Sequence, residues 1–124
     1  MQTAEKTVRE MTTTPVRMTL KWCVPPGESR PIAAALQGLM VAARAARGCL
    51  NCSLTTSMAE QMTISYVEDW RTEDDLQREL RSERFTALAE LLESASGHPS
   101  VEFTLPGAVR GIEYAQQVRN APAR

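Results

Sequence analysis

The sequence predicts an α+β domain with the element order β-α-β-β-α-β, a four-stranded antiparallel sheet carrying its helices on one face. Three observations predict it. Apolar residues alternate at period two in Val16–Val24, Gln61–Trp70 and Val101–Leu105. They recur at helical spacing over Ile32–Ala43 and again over Phe85–Ala95. Two strand-like runs, Cys49–Met58 and Gln61–Trp70, are separated only by Ala59-Glu60, which leaves room for nothing but an antiparallel hairpin.

The first strand places Val16, Met18, Leu20, Trp22 and Val24 on one face, and Pro25-Pro26-Gly27 ends it. Ser29 is a candidate N-cap for the first helix, with Pro31 at an early position that needs no intrahelical donor. Ile32, Ala35, Leu36, Leu39, Met40 and Ala43 form its apolar stripe, and Gly48 is the expected left-handed stop. In the third strand Met62, Ile64, Tyr66, Glu68 and Trp70 share a face. Thr72 followed by Asp75 has capping-box spacing, and the acids Glu73, Asp74 and Asp75 suit the positive end of a helix. Ser82 restarts the pattern, and the five-residue step from Leu80 to Phe85 breaks the period, which implies two short helices or a kink. Gly97-His98-Pro99 ends that element, Val101, Phe103 and Leu105 give the last core strand, and Pro106-Gly107 closes it. This is the ferredoxin-like split motif.

A chain of 124 residues has room for one core and short tails. We read residues 1–14 as a polar, disordered leader and 15–106 as the domain. Residues 107–124 are read as a C-terminal arm whose helix, Gly111–Arg119, carries Ile112, Ala115 and Val118. A net charge of −1 with interspersed signs gives no electrostatic footprint for nucleic acid, and no apolar run is long enough for a membrane span. The expected location is the cytoplasm.

Three cysteines argue against a disulfide framework. Cys49 and Cys52 form a Cys-x-x-Cys, but a zinc site would need two more ligands, with only Cys23 and His98 remaining. Strand alternation should also turn the two thiols to opposite sides. No metal site is expected.

Thr19, Cys23, Ser53, Thr55, Thr63, Ser65 and Val67 make up the second sheet face, which is neither a full core set nor a charged surface. Such a face suits packing against a second sheet, so a homodimer is expected.

The element order, with Gly48-Cys49-Leu50 opening the second strand, Glu68-Asp69-Trp70 closing the third and Leu80-Arg81-Ser82-Glu83-Arg84-Phe85 between the helices, resembles the antibiotic biosynthesis monooxygenase domain family. Gly111-Ile112-Glu113-Tyr114 is similar to a subgroup of it. The resemblance implies a dimeric α/β barrel with a pocket between the helices and sheet of each subunit. It further implies oxidation of a small phenolic or hydroquinone substrate by O2 without metal, flavin or haem. In such chemistry the substrate loses a proton and itself reduces oxygen, while the protein supplies a dry, orienting pocket.

The sequence departs from that pattern where relatives carry helix histidines, which fall here on Glu79 and Arg84. The haem-degrading branch needs a helix tryptophan and a histidine, aligned here with Glu79 and Ala89, so no cofactor is expected. His98 reads as a loop residue.

Glu68 is the candidate base, since a carboxylate on an otherwise apolar strand face has its pKa raised by desolvation and can accept a phenolic proton. Its plainer alternative is an ion pair with an arginine. Trp22, Asn51, Tyr66, Trp70, Phe85 and Leu88 are the candidate substrate contacts. The competing functional reading is a non-oxygenase dimeric barrel that binds or isomerises a small metabolite. The size of the pocket separates the two: either it takes a ring, or Trp22, Met40 and Phe85 fill it.

Overall fold

The computed structural model describes residues 15–94, 97 and 99–121. The expected leader, Ala95 and the His98 loop position lie outside the described residues. Strand β1, Val16–Val24, is followed by a 3-10 turn at Pro26–Glu28 and helix α1, Ser29–Arg44. Strands β2, Cys49–Met58, and β3, Met62–Trp70, form the hairpin. Helices α2, Glu73–Leu80, and α3, Glu83–Glu93, precede β4, Ser100–Leu105. A short strand β5, Ala108–Arg110, and helix α4, Ile112–Asn120, complete the chain.

The sheet runs β2-β3-β1-β4-β5, antiparallel throughout. It therefore has five strands rather than the expected four. Pro106-Gly107 does not end the sheet but turns it, with Leu105 paired to Ala108 and Gly107 at φ +77°. Proline and a left-handed glycine are the central residues that such a tight turn favours. A three-residue strand is too short to show a period of its own.

Val16, Met18, Leu20, Trp22 and Val24 are all buried, so the alternation in β1 does face the core. Register carries this face across the sheet, Leu20 opposite Tyr66 and Met18 opposite both Glu68 and Phe103. Ile32 and Leu36 of α1, Leu76 and Leu80 of α2, and Phe85 and Leu88 of α3 close over it.

The helix ends differ in how well residue type announced them. The Thr72 hydroxyl accepts the Asp75 N–H at 3.1 Å, and the Ser82 hydroxyl accepts the Phe85 N–H at 3.3 Å, so the expected break yields two separately capped helices. Ser29 does not cap α1; the 3-10 turn precedes it, and the Ser29 hydroxyl donates back to the Pro26 carbonyl. Helix α1 stops at Arg44, before Gly48. Gly48, at φ +88°, instead turns the chain into β2, and its carbonyl accepts the Arg71 N–H.

Alternation fails at Cys49 and Cys52. A bulge at Leu50 shifts the register, so Cys49 opposes Trp70 while Cys52 opposes Glu68. One extra residue in a strand reverses the sidedness of everything beyond it. Both thiols therefore face the helix-covered side, Cys52 fully buried. Burial raises both thiol pKa values, that of Cys52 to about 12, so neither is a thiolate near neutrality.

Helix α4 docks on the body. Tyr114 packs on Phe103 with ring centroids 5.2 Å apart, and its hydroxyl donates to Glu73 at 2.7 Å. Arg119 donates to the Leu80 carbonyl at 2.7 Å. Tyr114, Ala115 and Val118 are buried, whereas Ile112, expected on the apolar stripe, is 41 % exposed.

Candidate functional site

Residues 66, 68 and 70 of β3 point the same way because a strand repeats every two residues. Here that period stacks three hydrogen-bonding side chains on the core face. The Tyr66 hydroxyl donates to Glu68 Oε2 at 2.7 Å, and the Trp70 indole N–H donates to Oε1 at 3.1 Å. Each carboxylate oxygen thus has one neutral donor. The Glu68 side chain lies in the core at 3 % exposure, with no ion-pair partner among the described residues.

This environment sets its acidity. Removal from water pushes the Glu68 pKa up to about 7; the nearby Glu79 charge adds to the rise, while the Tyr66 and Trp70 hydrogen bonds and the Arg84 charge oppose it. Desolvation wins, leaving a carboxylic acid that exchanges its proton near neutrality. The same burial, together with the Glu68 charge, raises the Tyr66 hydroxyl far above its ordinary range, so Tyr66 stays a donor. Cys52 lies against the Tyr66 hydroxyl and extends the polar line by one group.

The arginine that could have paired with Glu68 pairs elsewhere. Arg84 Nη2 donates to Glu79 Oε1 at 2.7 Å and Nε donates to the same carboxylate at 3.1 Å. Glu79 is itself buried at 4 % exposure. The two residues are five apart, and the Ser82 cap between α2 and α3 bends the chain enough to bring them together.

The pair stands between two cavities. The inner chamber is bounded by Leu39, Tyr66, Glu68, Phe85 and Leu88, and closed by Glu79 and Arg84. No part of it is wide enough to admit a water molecule. As it stands the chamber has no room for a ring, and of Trp22, Met40 and Phe85, the side chains expected to fill it, only Phe85 is among its walls. An outer cleft of about 370 Å³ opens beyond the pair, walled by Ala46, Arg47, Trp70, Asp75 and Arg78.

Of the candidate substrate contacts, Tyr66, Trp70, Phe85 and Leu88 gather around Glu68. Trp22 and Asn51 do not. Trp22 is buried opposite Ile64, four residues along the strand from the partner of Glu68, where it serves the core. The bulge leaves Asn51 exposed opposite Asp69, on the other face of the sheet. Glu79 and Arg84 are the site residues that sequence reasoning left without a role; their separation across a capped break was the available signal. Among the described residues no cluster of His, Cys, Asp or Glu could hold a metal, and no helix is long and apolar enough to cross a membrane.

Residues 15–104 match the family model for antibiotic biosynthesis monooxygenase. No curated protein matches the sequence. Among solved structures, PA3566 from Pseudomonas aeruginosa is 22 % identical at TM-score 0.64, over 74 % of this chain and 93 % of that one. A conserved protein from Methanosarcina mazei is 16 % identical at TM-score 0.67, over 78 % and 97 %. A Caulobacter crescentus protein assigned as an antibiotic biosynthesis monooxygenase is 20 % identical at TM-score 0.63, over 78 % and 95 %. At these identities the likeness is one of fold.

Proposed function

The chain belongs to the antibiotic biosynthesis monooxygenase family, and on that premise we propose that it is a cofactor-independent monooxygenase acting with O2 on a small phenolic or hydroquinone substrate. The observation that carries this reading is Glu68: a buried carboxylate, held by two neutral donors, whose proton exchanges near neutral pH. A base with a pKa close to the working pH suits general base catalysis. The phenolic proton passes to Glu68, and the phenolate so formed is the electron donor to O2. Tyr66 and Trp70 hold the carboxylate in place, while Phe85 and Leu88 supply apolar walls.

Because the chamber is shut, a ring enters only when its walls move. The Glu79–Arg84 pair is the polar part of those walls, and Phe85 and Leu88 the apolar part. Two subunits sharing their Thr/Ser-rich sheet faces would complete the barrel. The test is oxygen consumption by the purified chain over a panel of hydroquinones and phenols. Consumption no faster than the uncatalysed rate for every member would sink the reading.

The second reading, a non-oxygenase barrel that binds or isomerises a small metabolite, is favoured by two observations. The chamber as it stands has no room for a ring. The two positions where relatives carry histidines are committed to each other, as the Glu79–Arg84 ion pair. A thermal shift with a non-oxidisable ligand, and none with quinols, would select it.

A further inference from the structure

The outer cleft has a charge pattern that the oxidation chemistry does not require. Three guanidiniums, Arg47, Arg78 and Arg84, face it against two carboxylates, Asp75 and Glu79. Two of the three are already engaged: Arg78 donates to Asp75 at 3.0 Å, and Arg84 holds Glu79 at 2.7 Å. Arg47 has no hydrogen-bond or ion-pair partner among the described residues. The cleft therefore carries one uncompensated positive charge.

Inside the ion pair the balance is opposite. Glu68 and Glu79 face Arg84 alone, so the chamber repels an anion whenever Glu68 is ionised. Trp70 spans the boundary, walling the cleft while its N–H holds Glu68. A molecule lying across both spaces would keep an uncharged ring inside and any negative group outside. Arginine suits that outer group, because its planar fork matches a carboxylate with two parallel hydrogen bonds.

We propose that the outer cleft is a subsite for a carboxylate carried on a short arm of an aromatic ligand, whose ring enters the chamber beside Glu68 when Phe85 and Leu88 move aside. The proposal rests on the ring-binding part of the function above, not on its oxygen chemistry. It narrows the substrate class from phenols in general to acidic ones.

Calorimetric titration of the full chain with dihydroxyphenylacetate, its methyl ester and unsubstituted hydroquinone tests it. The acid is expected to bind about tenfold more tightly than the ester at low salt. That preference should shrink towards parity in about 0.5 M salt, where exposed charges are screened. It should also disappear in Arg47→Gln, an exposed position whose change removes no internal contact. Acid and ester binding alike, a preference that survives Arg47→Gln, or no binding by any of the three would each overturn the proposal. Oxygen uptake is read separately. Acid preference without oxygen uptake would sink the oxygenase and leave the subsite, while uptake without acid preference would do the reverse.

Discussion

The Tyr66 hydroxyl donates to Glu68 at 2.7 Å from two residues away on the same strand, with Trp70 donating at 3.1 Å from two residues on the other side. A single strand thus builds the carboxylate and both of its supports, and no loop movement is needed to assemble them. Glu68→Gln tests what the carboxylate does. The amide oxygen can still accept from Trp70, and the amide N–H can donate to the Tyr66 oxygen, whose own proton then turns towards the Cys52 sulfur. The variant is expected to fold and to lose oxygen uptake on hydroquinones by at least about a hundredfold, the usual scale of a lost general base. Unchanged uptake in an oxygen electrode would remove Glu68 from the mechanism.

The same burial gives a pH signature. Burial pushes the Glu68 pKa up to about 7 in the folded chain, against 4.5 for a glutamate free in water. Below 4.5 both folded and unfolded chains hold the proton, and no penalty arises. Between 4.5 and 7 the unfolded chain loses it while the folded chain keeps it, so stability falls as pH rises, then levels off. The fall attributable to this group is roughly 3 kcal/mol. Urea titrations of wild type and Glu68→Gln across that range should diverge with rising pH. Parallel curves would show that Glu68 ionises freely. Activity should move the other way, rising with pH through about 7 as the base form appears.

The Glu79–Arg84 pair gives a prediction about stability rather than chemistry. The Glu79 side chain is 3 % exposed and Arg84 36 %, so the arginine is the partner with access to water. Arg84→Met leaves a buried carboxylate without its counter-charge and is expected to destabilise by about 3 kcal/mol. Replacing both, as Glu79→Leu with Arg84→Met, should recover most of that loss, because two apolar groups leave nothing unpaired. Denaturant midpoints decide it. A single variant within about 0.5 kcal/mol of wild type would mean that Glu79 takes up a proton or finds water instead.

Much of this was legible in residue order, and the reasons are physical. Period two put Tyr66, Glu68 and Trp70 on one face of a strand and buried that face correctly, because every residue between Met62 and Trp70 is paired without interruption. The same rule failed for Cys49 and Cys52, because a bulge at Leu50 leaves no periodic trace in so short a stretch, and that bulge also turns Asn51 away from the site. Trp22 shares the correct face but sits opposite Ile64, and distance along a strand cannot be read from facing alone. Glu79 and Arg84 read as substitutions for expected histidines; their pairing needed the angle between two capped helices, which sequence spacing does not supply.

The open sheet face carries the last prediction. Val67 lies in register between Thr19 of β1 and Ser53 of β2, and all three are half-buried within a single chain. Arg17 and Asp69 form an ion pair towards one end of this face, with a guanidinium nitrogen 2.7 Å from the carboxylate. Lys21, opposite Ser65, and Glu102, opposite Thr19, add one charge of each sign beside these small residues, and between them the face is one that a second twisted sheet can approach. Light scattering at micromolar concentration should return twice the mass of one chain. Val67→Arg, which puts a charge at the centre of that face, should return the single-chain mass with the fold retained. A single-chain mass for the wild type would sink the dimer, and a dimer that survives Val67→Arg would move the interface to another surface.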